Sequence, residues 1–122
     1  VAPESMKVLV VDDDPEQLEM MERQLRSFGV EVRTWNTGIG VTNAVREFGP
    51  DVVLLDVNIP ALSGDRLVKL LRRSQTSSRL VLFSSNDQDS LRRLAADVGA
   101  DDWIQKGIDP QSLVQRLQRV CR

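Results

Sequence analysis

The chain has 122 residues, 41% of them hydrophobic and 28% charged, and a net charge of −2 from 16 basic and 18 acidic side chains. That length supplies one core of ordinary domain size, and the near balance of charge excludes the strongly basic surface that general attraction to nucleic acid or to an anionic membrane requires. Histidine is absent and cysteine occurs once, at Cys121, which excludes serine-histidine-aspartate catalysis, histidine metal clusters and an intramolecular disulfide.

Along the chain, Val1 to Ser5 is small or polar and reads as a linker or an expression scar ahead of Met6, so residues 6–122 are the expected domain. No signal peptide and no run of about 18 apolar residues follows, and with a single cysteine the expected setting is cytoplasmic, away from the membrane. "KVLVV" (7–11) predicts the first strand, and Leu18, Met21, Leu25 and Phe28 predict the apolar stripe of a helix that Pro15 opens and Gly29 closes. "VEVRTW" (30–35) predicts the second strand, with Trp35 packing at its end, and Val41, Ala44, Val45 and Phe48 the second helix, ending at Gly49. Between them "TGIG" (37–40) has no third glycine at Asn43, so it is not a dinucleotide loop.

"DVVLLD" (51–56) predicts the third strand, followed by a helix on Leu67, Leu70 and Leu71. "RLVLFS" (79–84) is the fourth strand, with a helix on Leu91, Leu94, Ala95 and Val98 that stops at Gly99. "DWIQ" (102–105) is the fifth, and Pro110 starts a last helix on Leu113, Leu117 and Val120. Cys121 is expected on that helix as a structural residue. Several strands lack polar alternation, as strands buried on both faces do. Strict alternation of strand and helix predicts a flavodoxin-like, doubly wound (βα)5 sandwich with a five-stranded parallel sheet of order 2-1-3-4-5. Ligands of such sheets bind beyond the carboxyl ends of the strands.

Those ends carry charge. The first strand runs into Asp12, Asp13 and Asp14, and the third ends at Asp56, with Val57 and Asn58 following. In the order 2-1-3-4-5 these ends are neighbours. Two carboxylates about 4 Å apart repel by roughly 4 kcal/mol at an effective dielectric near 20, so a cation is required. Mg²⁺ suits carboxylate oxygens, and Lys106 at the end of the fifth strand adds a fixed positive charge. Ser84 and Ser85 bring hydroxyls and backbone N–H groups to the same edge. Carboxylates for metal, a carboxylate nucleophile, a hydroxyl and an ammonium are the parts of phosphoryl transfer onto an aspartate.

"VVDDDP", "LLDVNIPALSG" with Asp56, Pro60 and Gly64, the Ser84 strand end, and "GADDWIQK" with Lys106 together resemble the receiver domain of two-component response regulators, over residues 6–121. The resemblance implies that Asp56 is the phosphoacceptor, Asp13 a direct Mg²⁺ ligand and Asp12 its support through water. It implies that the Asn58 carbonyl completes the coordination, that Ser84 and Lys106 bind phosphoryl oxygens, and that the Ser85 N–H assists. Asp14 is left to the helix start. The phosphoryl group would come from a histidine kinase or histidine phosphotransfer protein. Switching would then run through Trp103 to the surface of the fourth helix, fifth strand and fifth helix, and on to a downstream effector, with self-association on activation among the outcomes the resemblance allows. No direct contact of this domain with nucleic acid is implied. Arg92, Arg93, Arg116 and Arg119 lie on that surface and read as solvated helical arginines.

Three positions depart from the family pattern. Lys106-Gly107 replaces Lys-Pro with its cis bond, and a trans bond is expected because cis before a non-proline costs about 2.5–4 kcal/mol. Trp103 is larger than the usual Tyr or Phe, and Ser85 replaces Ala or Gly. These departures carry an alternative, a phosphorylation-impaired receiver acting as a constitutive interaction module. A second alternative is a fragment of a haloacid-dehalogenase-type phosphatase with Asp12 as nucleophile and Asp14 as acid, but Glu16 stands where that pattern needs Thr or Val.

Overall fold

Strands and helices alternate five times, as the hydrophobic pattern predicts. The computed structural model describes residues 2–59 and 64–121, so Pro60 of the third-strand motif lies outside the described residues. A short 3-10 turn, Pro3–Ser5, precedes β1 (Lys7–Val11), and Met6 between them is fully buried. Then follow α1 (Pro15–Arg26), β2 (Glu31–Trp35), α2 (Val41–Phe48), β3 (Val52–Asp56), α3 (Gly64–Arg73), β4 (Arg79–Ser84), α4 (Gln88–Val98), β5 (Asp102–Gln105) and α5 (Pro110–Val120). The strands form one parallel sheet in the order β2-β1-β3-β4-β5.

Because side chains alternate across a strand, each strand serves two cores. Val8, Val10, Val52, Leu54, Val81, Phe83 and Ile104 pack under α1 and α5, against Leu18, Met21, Leu25, Leu113 and Leu117. Leu9, Val11, Val53, Leu55, Leu80 and Leu82 pack under α2, α3 and α4, against Val45, Phe48, Leu67, Leu71 and Leu91. This double burial explains why β3 reads as an unbroken apolar run.

The helix starts follow from their capping residues. Asp14, Asp87 and Asp109 sit at the N-caps of α1, α4 and α5, their carboxylates accepting from the N–H groups of Glu16, Ser90 and Ser112. Pro15 and Pro110 occupy first-turn positions, where a missing N–H costs no intrahelical bond. Gly49 and Gly99 close α2 and α4.

Two stripe residues are corrected. Phe28 is not a core residue: α1 ends at Arg26 with Ser27 as its cap, so Phe28 leaves the helical track and is 36% exposed. Leu70 is 38% exposed, because the buried face of α3 is set by Gly64, Leu67, Val68 and Leu71, and at about 100° per residue Leu70 points away from it. Cys121 caps the end of α5, half-buried, with its Sγ 3.8 Å from Met6 Sδ, and burial raises its thiol pKa above the ordinary value.

Candidate functional site

The two-residue period that builds the core also builds the site. Val8 and Val10 face the α1/α5 core, and Asp12 continues that alternation just past β1. Val52 and Leu54 face the same core, and Asp56 continues it at the end of β3. Ile104 does so in β5, and Lys106 follows two residues later. Three charged side chains thus reach one side of the sheet's carboxyl edge, from the adjacent strands β1 and β3 and from β5, which β4 separates from β3.

Asp12 and Asp56 are buried, at 1% and 5% exposure, whereas Asp13 faces solvent. One carboxylate oxygen from each of Asp12, Asp13 and Asp56 lies within 4.8 Å of the other two. Lys106 Nζ donates to Asp12 Oδ2 at 2.9 Å and stands 3.6 Å from Asp56 Oδ2. The ammonium also lies 5.7 Å from the centre of the Phe83 ring. The remaining carboxylate oxygens take backbone donors: the Asp14 N–H to Asp12 Oδ1 at 3.0 Å, and the Asn58 N–H to Asp56 Oδ1 at 3.1 Å. Asp14 is turned away to cap α1, as its place before Pro15 predicts.

Burial raises the pKa of Asp56 above its usual 3.8, and the neighbouring Asp12 pushes the same way; the Asn58 N–H and the Lys106 charge oppose them. One ammonium shared between two buried carboxylates leaves the cluster net negative. The donor set is all oxygen, with one exposed carboxylate, which fits a hard divalent cation that keeps part of its water shell.

Ser84 and Trp103 belong to the opposite side of the sheet. Ser84 is fully buried at the end of β4, its Oγ accepting from the Asn86 N–H at 3.1 Å, while its carbonyl accepts from the Lys106 N–H at 2.8 Å. Ser85 is exposed on the loop that follows. Trp103 is half-buried on β5 against the α2/α3/α4 core and lies outside the carboxylate cluster. Lys106-Gly107 is trans, with Gly107 at φ 96°, a backbone region open to glycine and strained for other residues. Lys106 therefore reaches both carboxylates without the cis proline of the family pattern.

Gly64 holds the third strand's exit. A Cβ on it would stand 2.5 Å from the Asp56 carbonyl oxygen, so only glycine lets the start of α3 lie this close to the end of β3.

Some ties were not foreseen. Arg116 is not a solvated helical arginine: its Nη2 donates to both Asp102 oxygens at 3.1 Å and to the Trp103 carbonyl at 2.7 Å, binding α5 to β5. Gln105 Nε2 donates to the Asn86 carbonyl at 3.1 Å, linking β5 to the loop after Ser84. Spacing signals neither contact, since both join residues distant in sequence.

A parallel sheet with an acidic cluster at its carboxyl edge defines a doubly wound α/β protein that works at its strand ends. The family model for the response regulator receiver domain matches residues 8–118. The DNA-binding response regulator MtrA of Mycolicibacterium smegmatis is 35% identical over 95% of this chain and 50% of its own length. The transcriptional regulatory protein KdpE of Mycobacterium tuberculosis is 36% identical over 94% of this chain and 50% of its own. Among solved structures, the BeF3-activated N-terminal receiver domain of Klebsiella pneumoniae RstA superposes with a TM-score of 0.87 at 32% identity, covering 95% of this chain and 98% of that one. The chemotaxis protein CheY4 of Vibrio cholerae gives 0.86 at 29% identity, covering 94% and 98%.

The chain belongs to the response regulator receiver domain family, the signalling module of two-component systems. It spans about half the length of the curated relatives it matches.

Proposed function

We propose that this receiver accepts a phosphoryl group on Asp56 from a phosphohistidine of a kinase or histidine phosphotransfer protein, in a Mg²⁺-dependent reaction. One observation carries the proposal: a buried carboxylate at a strand end is set between two further carboxylates and a lysine, within ion-pair distance of that lysine. A carboxylate oxygen of Asp56 attacks phosphorus, the bond from phosphorus to the donor's imidazole nitrogen breaks, and an acyl phosphate forms. The Asn58 N–H orients the attacking carboxylate. Lys106, already between Asp12 and Asp56, turns its charge to a phosphoryl oxygen, and the Ser84 hydroxyl, with the Ser85 N–H, serves another. Asp13 and Asp12 would hold Mg²⁺ together with Asp56 and the Asn58 carbonyl; the ion supplies the positive charge that offsets the carboxylates and the incoming phosphoryl group.

The chain turns over only its own phosphoryl group, and its output is a changed surface. Trp103 and Ser84 lie on the same side of the sheet, which favours coupling from the acyl phosphate to the α4-β5-α5 surface, where Arg116 already joins α5 to the Trp103 carbonyl. By likeness to relatives such as MtrA, the recipient is a downstream effector domain or protein, and nucleic acid contact is not assigned to this domain. Against the impaired-receiver alternative stands the position of Lys106, whose Nζ bonds Asp12 and lies 3.6 Å from Asp56 despite Gly107.

Metal dependence is the accessible test. Mg²⁺ at ten times its Kd should stabilise the protein by about 1.4 kcal/mol, seen as a higher Tm. Asp13→Asn should lose most of that gain and most of the rate of labelling by acetyl phosphate, followed by intact mass. An Asp13→Asn protein with the full Mg²⁺ response contradicts the ligand assignment.

A further inference from the structure

We propose that this receiver self-associates head to tail, the exposed stripe of α3 in one copy seating in the groove between α1 and β2 of the next. Arg66, Lys69, Leu70 and Arg73 are all exposed, and their spacing of three, four and seven residues puts them on one helix face. Leu70 is thus an apolar knob, 38% exposed, among three cations. Among the described residues none of those three cationic side chains has a hydrogen-bond or ion-pair partner, whereas Arg72, on another row of α3, is held by the Gly99 carbonyl and Asp101.

The complementary surface is on the same chain. Between β2 and the start of α1 lies a groove of about 420 Å³, with Pro15, Leu18 and Trp35 in its walls and Glu19 and Glu22 at its rim. Glu22 already bonds Arg26 at 2.9 Å, but Glu19 has no such partner among the described residues, and the exposed Glu16 lies one turn before it. The groove is preformed: Trp35 Nε1–H donates to the Ile39 carbonyl at 2.8 Å, and Gly40 lies so close to the indole that an added Cβ would come within 3.2 Å of the ring. A leucine flanked by cations fits an apolar groove rimmed by carboxylates. A nucleic acid backbone would match the cations and leave Leu70 without an apolar contact.

Topology makes the contact intermolecular. α1 packs on the side of the sheet shared with α5, and α3 on the side shared with α2 and α4, so no copy can seat its own Leu70 in its own groove. Pairing α3 with α3 would set like charges together. Two different surfaces therefore meet, and each added copy leaves a stripe free at one end and a groove at the other, which builds chains or rings. One helix stripe on one groove belongs with interfaces below about 1,200 Å², which form weak, transient complexes. Association is expected in low salt and should be lost near 1 M salt, where the screening length falls to about 3 Å.

Sedimentation equilibrium of the unphosphorylated protein tests this. The weight-average mass should exceed that of one chain at about 1 mM protein, and Leu70→Ser should lower the association constant by ~tenfold. Reversing the stripe with Arg66→Glu, Lys69→Glu and Arg73→Glu should give a folded monomer, as should reversing the rim with Glu16→Lys and Glu19→Lys. An equimolar mixture of those two variants should associate like the wild type, because each then offers the charge that the other's altered face requires. A wild type that stays monomeric in low salt overturns the proposal. So does association that survives stripe reversal, which places the contact on another surface, or a mixture that stays monomeric, which removes the groove as the occupied site. Wild-type binding to a short DNA duplex in place of self-association, lost on stripe reversal, overturns it by giving the stripe to phosphate. No phosphodonor enters the experiment, so its outcome is independent of the Asp56 assignment.

Discussion

Asp56→Asn should take up no phosphoryl group from any donor and should unfold at a higher temperature than the wild type at neutral pH. The first result follows from removing the proposed acceptor carboxylate. The second follows from its burial, which raises the Asp56 pKa above 3.8. A folded state that holds this proton more tightly than the unfolded chain is most stable below the unfolded pKa, and it loses that contribution as pH rises through the raised folded value. Asparagine is neutral throughout, keeps an oxygen for the Asn58 N–H, and leaves Lys106 its 2.9 Å bond to Asp12. In chelator, the Tm gain of Asp56→Asn should therefore be present at pH 7, shrink as pH falls through the raised Asp56 value, and be gone below about pH 4. Melting curves across pH test it, and a variant less stable than the wild type at pH 7 contradicts the electrostatics described above.

Gly64→Ala should be damaging in a position where alanine ordinarily helps. In a helix, Gly to Ala is worth up to about 1 kcal/mol of stabilisation. Here the added Cβ would meet the Asp56 carbonyl oxygen at 2.5 Å, the Asp56 carbonyl carbon at 3.0 Å and Val57 Cα at 3.1 Å. All three are backbone atoms at the end of β3 that positions Asp56, so no side chain can rotate out of the way. Overpacking of this kind costs about 1–3 kcal/mol. A displacement of Asp56 near 1 Å would slow its reaction by ~100-fold. Denaturant unfolding and the rate of labelling by acetyl phosphate measure the two effects separately, and a Gly64→Ala protein that is both more stable and equally reactive contradicts the close approach.

Much of this architecture was legible in the sequence because burial on both faces of a parallel strand leaves an unbroken apolar run. β1, β4 and β5 have the bounds expected from the sequence, and β2 and β3 each start one residue later than expected. The charged strand ends were legible for the same reason: Asp12, Asp56 and Lys106 interrupt those runs where the topology brings the ends together. Helical stripes misled where the chain left the helix, as at Phe28, and where an apolar residue fell off the buried arc, as at Leu70. Val68 is buried in its place.

Partnership between distant residues was less accessible. Lys106 was expected as a counter-charge, but its closer approach to Asp12, at 2.9 Å, than to Asp56, at 3.6 Å, is set by the packed fold and not by spacing. Arg116 has the composition of any surface helical arginine, and only the packing of α5 on β5 shows its three acceptors. In the sequence Ile39 is only the residue between the two glycines of "TGIG", which lacks the third glycine of a dinucleotide loop. Its presentation comes from the Trp35 indole N–H, which sequence spacing does not specify.

The central claim is that one carboxylate, Asp56, carries the phosphoryl group. Borohydride reduction of the protein after acetyl phosphate and Mg²⁺ treatment, followed by peptide mass mapping, converts an aspartyl phosphate to homoserine at the position that held it. Homoserine is expected at residue 56 and nowhere else; its appearance at residue 12, or its absence from the whole chain, would contradict the account.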